Sequence, residues 1–411
     1  MADDYEIRPA PGAFEDAHLL GRTAFHDTAA PEVSHELERS LWEPDRQLGA
    51  YYRGQYVGGA AAFTRDLTVP GGPIPAACVT NVAVSQAHTR RGLLTRMMRV
   101  QLTDLFEQGR EPVAALWASE SGIYRRFGYG LASRHAALDL ATREVRLLRP
   151  VPAGPPVRVG LATDGKLVAD CAAVYDRVRG SAPGYLSRPG AWWDHRLFDA
   201  PANREGNGPL QIVVHDGPDG PDGYALYAIE PDWRPDGPYS AAHLREVVAE
   251  SPQAETALWA FLLHLDLVGR LAAWVAPLDT PLPHLIDHPM RAVQRLGPNL
   301  WIRIADLPRA LAARTYAAPV DVVLDVTDEF CPWNTGRWRL SAGPDGATCD
   351  PTTDPADLAL SALDLGAAYL GGTSLDTLSR TGSITELTPG ALRATATAFQ
   401  DPRTPFCPEI F

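Results

Sequence analysis

The pattern of apolar positions changes period sharply across VAVSQAHTRRGLLTRMMRVQLTDLF, residues 82–106. Ahead of the basic turn, CVTNVAV (78–84) is apolar and β-branched, which predicts a buried strand. Val82 and Val84 fall on one face of it, because side chains alternate along a strand. Behind the turn, Leu94, Met97, Met98, Leu102, Leu105 and Phe106 recur at three- and four-residue steps, predicting a helix with one buried stripe. Arg90, Arg91 and Gly92 lie between the two elements.

The same reading extends outward. DYEIRP (4–9) predicts a first strand. Residues 13–25 predict a helix, with Phe14, Ala17, Leu20 and Ala24 on one side, followed by a polar, acidic loop, HDTAAPEVSHE. Segments 47–52 and 55–64 predict a hairpin turning at Arg53-Gly54, and LTVPGGPIP (67–75) a turn-rich link into the central strand. PVAALW (112–117) predicts a short strand parallel to 79–84. A turn and short helix follow at 119–127, and another strand begins at 138–140. Strand, helix, strand in that order is an α/β layer with a right-handed crossover.

Near Arg149 the composition shifts to RPVPAGPPVRVG, a proline- and glycine-rich joint. Beyond it the pattern predicts a helix at 167–179, strands at 210–215 and 224–229 around the turn cluster HDGPDGPDGY, a strand at 244–249, a buried helix at 255–265 and a strand at 270–275. This order echoes the first segment without the Arg-Arg-Gly turn, and by itself defines a second α/β domain. Trp301 to Ile304 and residues 307–315 lead into the last part. There, strands are expected at 320–326, 338–340 and 346–349, and helices at 358–370 and 375–378, an α+β order. The tail, ATATAFQDPRTPFCPEIF, has no periodicity and is either frayed or pinned.

Composition narrows the class. The chain has 411 residues, enough for two or three domains, and 45% are hydrophobic, as in ordinary globular proteins. A formal charge of −13 argues against nucleic acid or an anionic membrane surface as main partner, and suits a cationic one. Five well-separated cysteines form no CxxC pair, and the eleven histidines form no HExxH, so neither zinc nor a disulfide framework is expected. No apolar run approaches the roughly 20 residues that span a bilayer. The acidic start, MADDYEIRPA, lacks an apolar signal segment, so a cytoplasmic protein is expected.

The Arg90-Arg91-Gly92 turn has anion-binding chemistry. The first N–H groups of a helix lack partners, the helix dipole adds positive potential, and glycine lets a phosphate approach the main chain. Two arginines add fixed charge and planar donor forks. An ordinary strand-to-helix turn with two solvated arginines is the other reading of the same residues.

Taken with SESGIYRRFGYG (119–130), VAVSQAHTRRGLL resembles the signature of the GCN5-related N-acetyltransferases, and within them the enhanced-intracellular-survival (Eis) branch of actinobacteria. The resemblance implies two tandem acetyltransferase-like α/β domains, 1–148 and a degenerate 149–304. A sterol-carrier-protein-like α+β domain, 305–411, would follow. It implies acetyl-CoA as the acyl donor, with no metal, and contacts to it from Val82, Ala83, Val84, Arg90, Arg91, Gly92, Leu93, Leu94, Thr95, Ser119 and Glu120. Ser119 has the alternative of capping the following short helix. Tyr124, selected from thirteen tyrosines by its place in SESGIY, would be the proton donor to the leaving thiolate; otherwise it is a core tyrosine. The carboxylate of Phe411 would be the proton acceptor, where the alternative is a disordered end. Some relatives carry a glutamate next to the final phenylalanine. Here Ile410 holds that place and Glu409 lies one further back, so the polyamine contacts are in doubt. Asp27 matches a substrate-facing aspartate of the family; Phe25, Glu32 and Glu36 in the same loop either join it around a cationic amine acceptor, an aminoglycoside-like polyamine or a lysine, or form a solvated acidic surface. A homohexamer is also implied. The competing reading is a lipid- or sterol-binding protein with a vestigial transferase.

Overall fold

The computed structural model describes residues 4–27, 31–150, 157–235 and 237–411. They form two compact units, Met1–Ser133 with Ser181–Leu186 and Pro298–Phe411, and Arg134–Gly180 with Ser187–Gly297.

The first unit holds a seven-stranded sheet. Its order is Tyr5–Pro9 (β1), Leu48–Tyr52 (β2), Gln55–Val69 (β3), Gly72–Val84 (β4) and Val113–Trp117 (β5), then Leu300–Ile304 and Gly130–Leu131. β1 to β4 are antiparallel, and β5 runs parallel to β4. The hairpin between β2 and β3 turns at Arg53 and Gly54, both at positive φ (51° and 84°), as a two-residue turn of this hand requires. The expected link at 67–75 is instead the far end of a long hairpin, with Leu67 opposite Ile74 and Val69 opposite Gly72. Pro73 and Pro75 read as breakers but stand before β5 begins pairing at Ala76, where no ladder donor is needed.

Helix α1 spans Phe14–Ala24, as expected, but α2, Pro31–Leu41, occupies much of the expected acidic loop. Proline is well suited to open a helix, and Leu37 and Leu41 recur at the four-residue step. Helix α3, Leu93–Gln108, buries Leu93, Met97, Met98, Gln101, Leu102 and Leu105. Phe106 lies outside that stripe, exposed and stacked on Trp333 at 4.8 Å between ring centroids.

Strand alternation divides the core. Ala77, Val79, Ala114 and Leu116 face α3, whereas Ala76, Cys78, Val113 and Ala115 pack with the C-terminal elements. Those elements include a five-stranded sheet in the order Gly346–Pro351, Gly336–Gly343, Val320–Thr327, Leu358–Ser361 and Thr385–Glu386. The expected helix at 358–370 begins as a strand parallel to Val320–Thr327. It turns helical only after Ser361, whose hydroxyl and Asp364 form a reciprocal cap. The start of the aperiodic tail is also helical, within Ala391–Phe399.

The second unit has its own seven-stranded sheet: Ala292–Pro298, Arg134–Ala141, Val268–Ala276, Ser240–Ala249, Gly220–Glu230, Gln211–Gly217 and Arg158–Leu161. Ser240–Ala249 and Val268–Ala276 are parallel and joined through the helix Pro252–Leu263, repeating the β4–α3–β5 crossover. Its N-cap is Ser251, whose hydroxyl accepts from the Ala254 N–H. No arginine-glycine turn precedes it. Boundaries drawn at 148 and 304 cut across this pairing. Arg134–Ala141 belongs to the second unit's sheet, and Leu300–Ile304 to the first unit's. Among the described residues, no helix is long and apolar enough to cross a membrane.

Candidate active site

The site begins where the central strands part. β4 and β5 pair only from Ala76–Val113 to Cys78–Ala115. Past that point β4 bulges: its register against β3 shifts near Ala61 and Thr80, and Asn81 adopts φ 49°. Ala83 and Val84 keep their partners Gly59 and Gly58 on β3. Among the described residues, the β5-facing edge of residues 80–84 has no strand partner. Backbone groups of this stretch that do not pair with β3 lie along that edge.

At the end of this strand lies the basic turn. Arg90 and Gly92 both take positive φ, 60° and 77°, and Gly92 is the N-cap of α3. A Cβ on Gly92 would meet nothing within 4 Å, so glycine serves the backbone conformation and the approach to it rather than packing. Arg96 N–H closes the first helical bond, onto Gly92 O, leaving the earlier amides of Leu93, Leu94 and Thr95 pointing out of the helix start. The turn is anchored by the Tyr5 hydroxyl to His88 Nδ1 (2.9 Å) and by Arg96 Nη2 donating to Tyr5 O (2.9 Å). Arg90 and Arg91 are exposed, and among the described residues neither guanidinium has a protein partner.

After β5 comes the second motif. Ser119 and Glu120 are exposed, and the N-cap of the short helix Ser121–Tyr124 (α4) is Glu120, without a side-chain capping bond. Ser119 therefore does not cap it. Tyr124 ends α4, 7% exposed, with its ring against Phe127 and Tyr129 at centroid distances of 6.5 and 5.8 Å. Burial pushes its phenol up to about 12. Among the described residues no group hydrogen-bonds to the Tyr124 hydroxyl. Tyr129 is fully buried in the same cluster.

The chain's end is pinned rather than frayed. Phe406 N–H donates to Pro183 O (2.9 Å), and its backbone fills the space beside Gly184. Asn299 brackets Cys407, donating to its carbonyl and accepting from its N–H, each at 2.9 Å. Arg65 Nη1 donates to Glu409 Oε2 at 2.6 Å, with side-chain exposures of 0% and 6%. Phe411 is half-buried against the core cluster that also takes up Phe63 of β3 and Trp117 of β5. Glu409 is thus turned inward to an arginine. Arg65, Asn299 and Glu409 were not selected from sequence. The available signal was an arginine within the alternating apolar face Phe63, Leu67, Val69 of β3.

Phe25 is exposed, just past the end of α1. Asp27 accepts from Arg22 Nη1 at 2.7 Å. Glu36 is on α2 with its side chain 88% exposed. Glu32 falls on α2 too, its side chain outside those described.

Parted central strands beside a glycine-started helix define the class, a GCN5-related acetyltransferase, and comparison with known proteins agrees. Family models described as acetyltransferase (GNAT) domains match residues 6–132 and 184–304, and a sterol carrier protein domain matches 307–408. The chain is 44% identical over 389 residues to a protein of Streptomyces avermitilis named an uncharacterized N-acetyltransferase, covering 94% of this chain and 95% of that one. It is 35% identical over 402 residues to N-acetyltransferase Eis of Mycobacterium tuberculosis, covering 95% and 94%. The crystal structure of Eis1 from Mycobacterium abscessus superposes with a TM-score of 0.85 at 34% identity, covering 99% of this chain and all 100% of that one. The chain belongs to the Eis family of N-acetyltransferases, and it is an acetyltransferase enzyme.

Proposed function

We propose that this enzyme transfers the acetyl group of acetyl-CoA to a primary amine of a cationic acceptor, an aminoglycoside-like polyamine or a lysine, by direct attack in a ternary complex. The donor's pyrophosphate sits on Arg90, Arg91, Gly92 and the first amides of α3, Leu93 to Thr95, and its pantetheine amides pair with the open edge at Val82, Ala83 and Val84. Ser119 and Glu120 border the thioester end. The Phe411 carboxylate takes a proton from the ammonium. The amine nitrogen bonds to the thioester carbon, the carbon–sulfur bond breaks with its electron pair on sulfur, Tyr124 gives its proton to the departing thiolate, and the second proton that the new amide nitrogen sheds passes through solvent to restore the phenol. A thiolate, whose thiol titrates near 8–9, is a weaker base than a phenoxide raised by burial, so the transfer needs the phenol within hydrogen-bond reach. A terminal carboxylate near 3.3–3.7 is a weak base in water and a better one when desolvated.

The observation that carries this reading is the gap between β4 and β5. It opens between the core on which Tyr124 packs and the core on which Phe411 packs. Glu36 on α2, its side chain 88% exposed, suits a cationic acceptor. Phe25 and Asp27 lie just past the C-terminal end of α1. We further infer a homo-oligomer, a hexamer on the family resemblance, which sedimentation measures directly.

The test is acetyl-CoA turnover with a panel of polyamines and lysine peptides. A chain extended by a few residues beyond Phe411 is expected to bind acetyl-CoA normally and to turn over poorly. Normal turnover by the extended chain removes the terminal base.

A further inference from the structure

A buried ion pair is a costly way to fasten a chain end. Two apolar side chains of similar volume would hold it as well, because desolvation offsets much of the attraction. What the pair adds is a fixed distance and direction, where apolar contact allows sliding. Arg65 and Glu409 are both buried at 2.6 Å, and Cys78, Cys407 and Trp117 lie around them.

The burial of the tail matters here. Phe406, Cys407, Pro408 and Glu409 are all buried, Ile410 is 42% exposed, and Phe411 packs against the core cluster again. A glutamate one place later would take the exposed position of Ile410. Upstream, Asn299 fixes Cys407 from both of its backbone groups. Only Ile410 separates the last anchored side chain from Phe411.

We infer that the Arg65–Glu409 ion pair is the positioning device for the Phe411 carboxylate. Both are positioning residues, acting through Phe411 and touching neither donor nor acceptor. The inference rests on the terminal-carboxylate reading above.

Four proteins test it: the native chain, Glu409→Gln, the chain extended beyond Phe411, and the extension combined with Glu409→Gln. Each is measured for kcat, KM for acetyl-CoA, the pH profile of kcat/KM and the melting temperature. Glu409→Gln is expected to lower kcat about tenfold to a hundredfold, the loss that a misplacement of roughly 1 Å can cause. KM for acetyl-CoA stays within about twofold and the acidic limb of the profile shifts, as differential loss in the transition state requires. In the extended chain the same substitution costs nothing further, because the group it positions is already displaced. Arg65→Lys, which keeps the charge, retains more of kcat than Arg65→Met, and it supplies the comparison if Glu409→Gln folds poorly. An inactive extended chain with full activity in Glu409→Gln and Arg65→Met overturns the positioning role and leaves the terminal base standing. An equal drop on both backgrounds also overturns it, since the pair then acts by general stability. An active extended chain overturns both readings.

Discussion

Asn299 and Cys407 are joined by two hydrogen bonds of 2.9 Å, the Asn299 amide serving as donor and acceptor to one residue's backbone. The side chain imitates a strand partner for a tail that, among the described residues, pairs with no strand. Ser133 Oγ donates to the same amide oxygen at 2.6 Å and accepts from the Leu300 N–H, so the amide is held from both sides. Asn299→Ala would leave the buried Cys407 N–H and C=O unpaired, at about 1–3 kcal/mol each. Chemical denaturation should register a loss of about 3 kcal/mol, and trypsin should cut faster after Arg403.

Tyr124→Phe keeps the ring packing against Phe127 and Tyr129 and removes only the proton. Turnover should fall roughly a hundredfold or more, the scale of general acid catalysis, with acetyl-CoA binding unchanged. Burial favours the neutral phenol, so Tyr124 keeps its proton through the neutral range and yields it toward pH 12. The native enzyme should therefore show no alkaline loss from this group near the ordinary phenol value of about 10. Unchanged turnover in Tyr124→Phe would exclude it from the mechanism.

The two arginines of the basic turn should act on binding alone. On the proposed binding mode each would form charge-assisted bonds of about 1.5–3 kcal/mol to a phosphate, so Arg90→Ala or Arg91→Ala should raise KM for acetyl-CoA roughly tenfold at low salt. The effect should shrink as ionic strength rises, since both side chains are exposed. Equal KM in native and variant enzymes would place the pyrophosphate elsewhere.

The second unit carries an acid-labile centre. Glu246 accepts from Arg188 at two atoms (2.9 and 2.8 Å), from the Tyr224 hydroxyl (2.8 Å) and lies 2.9 Å from Arg196. Burial alone would raise its carboxyl, but Arg188 and Arg196 outweigh that and hold it at about 2. An unfolded glutamate titrates at about 4.3, so the stabilisation is complete above that pH and is lost as pH falls from there toward 2. Glu246→Gln leaves buried cations unpaired. It should cost about 3 kcal/mol at neutral pH and flatten the stability profile between about pH 4.5 and 2. A variant profile as steep as the native one would assign the acid sensitivity to other groups.

Much of this was legible because local rules and the fold agree. The period change around Arg90 to Gly92 fixes a strand, a turn and a helix, and each lies where the pattern places it. What failed had a physical cause in each case. Pro73 and Pro75 read as breakers because their tolerance depends on where β5 starts, which no local window contains. Leu358 to Ser361 read as helix because four apolar-rich residues have no decisive period, and the parallel partner Val320–Thr327 decides them. The Arg65–Glu409 pair spans 344 residues. Sequence supplies only half of such a pair, a charge on an apolar strand face that must find a counter-charge from somewhere.

The placement of Leu300–Ile304 between β5 and Gly130–Leu131 bears on synthesis. A ribosome delivers the basic turn and Tyr124 early, yet the sheet beneath them stays open on one edge until residue 304 has emerged. Until then the Ala114 and Leu116 ladder has an exposed flank, a place for mispairing or for a chaperone. Assembly of the catalytic layer is thereby deferred to late in translation, and a prematurely terminated product keeps the motifs without the means to close around them.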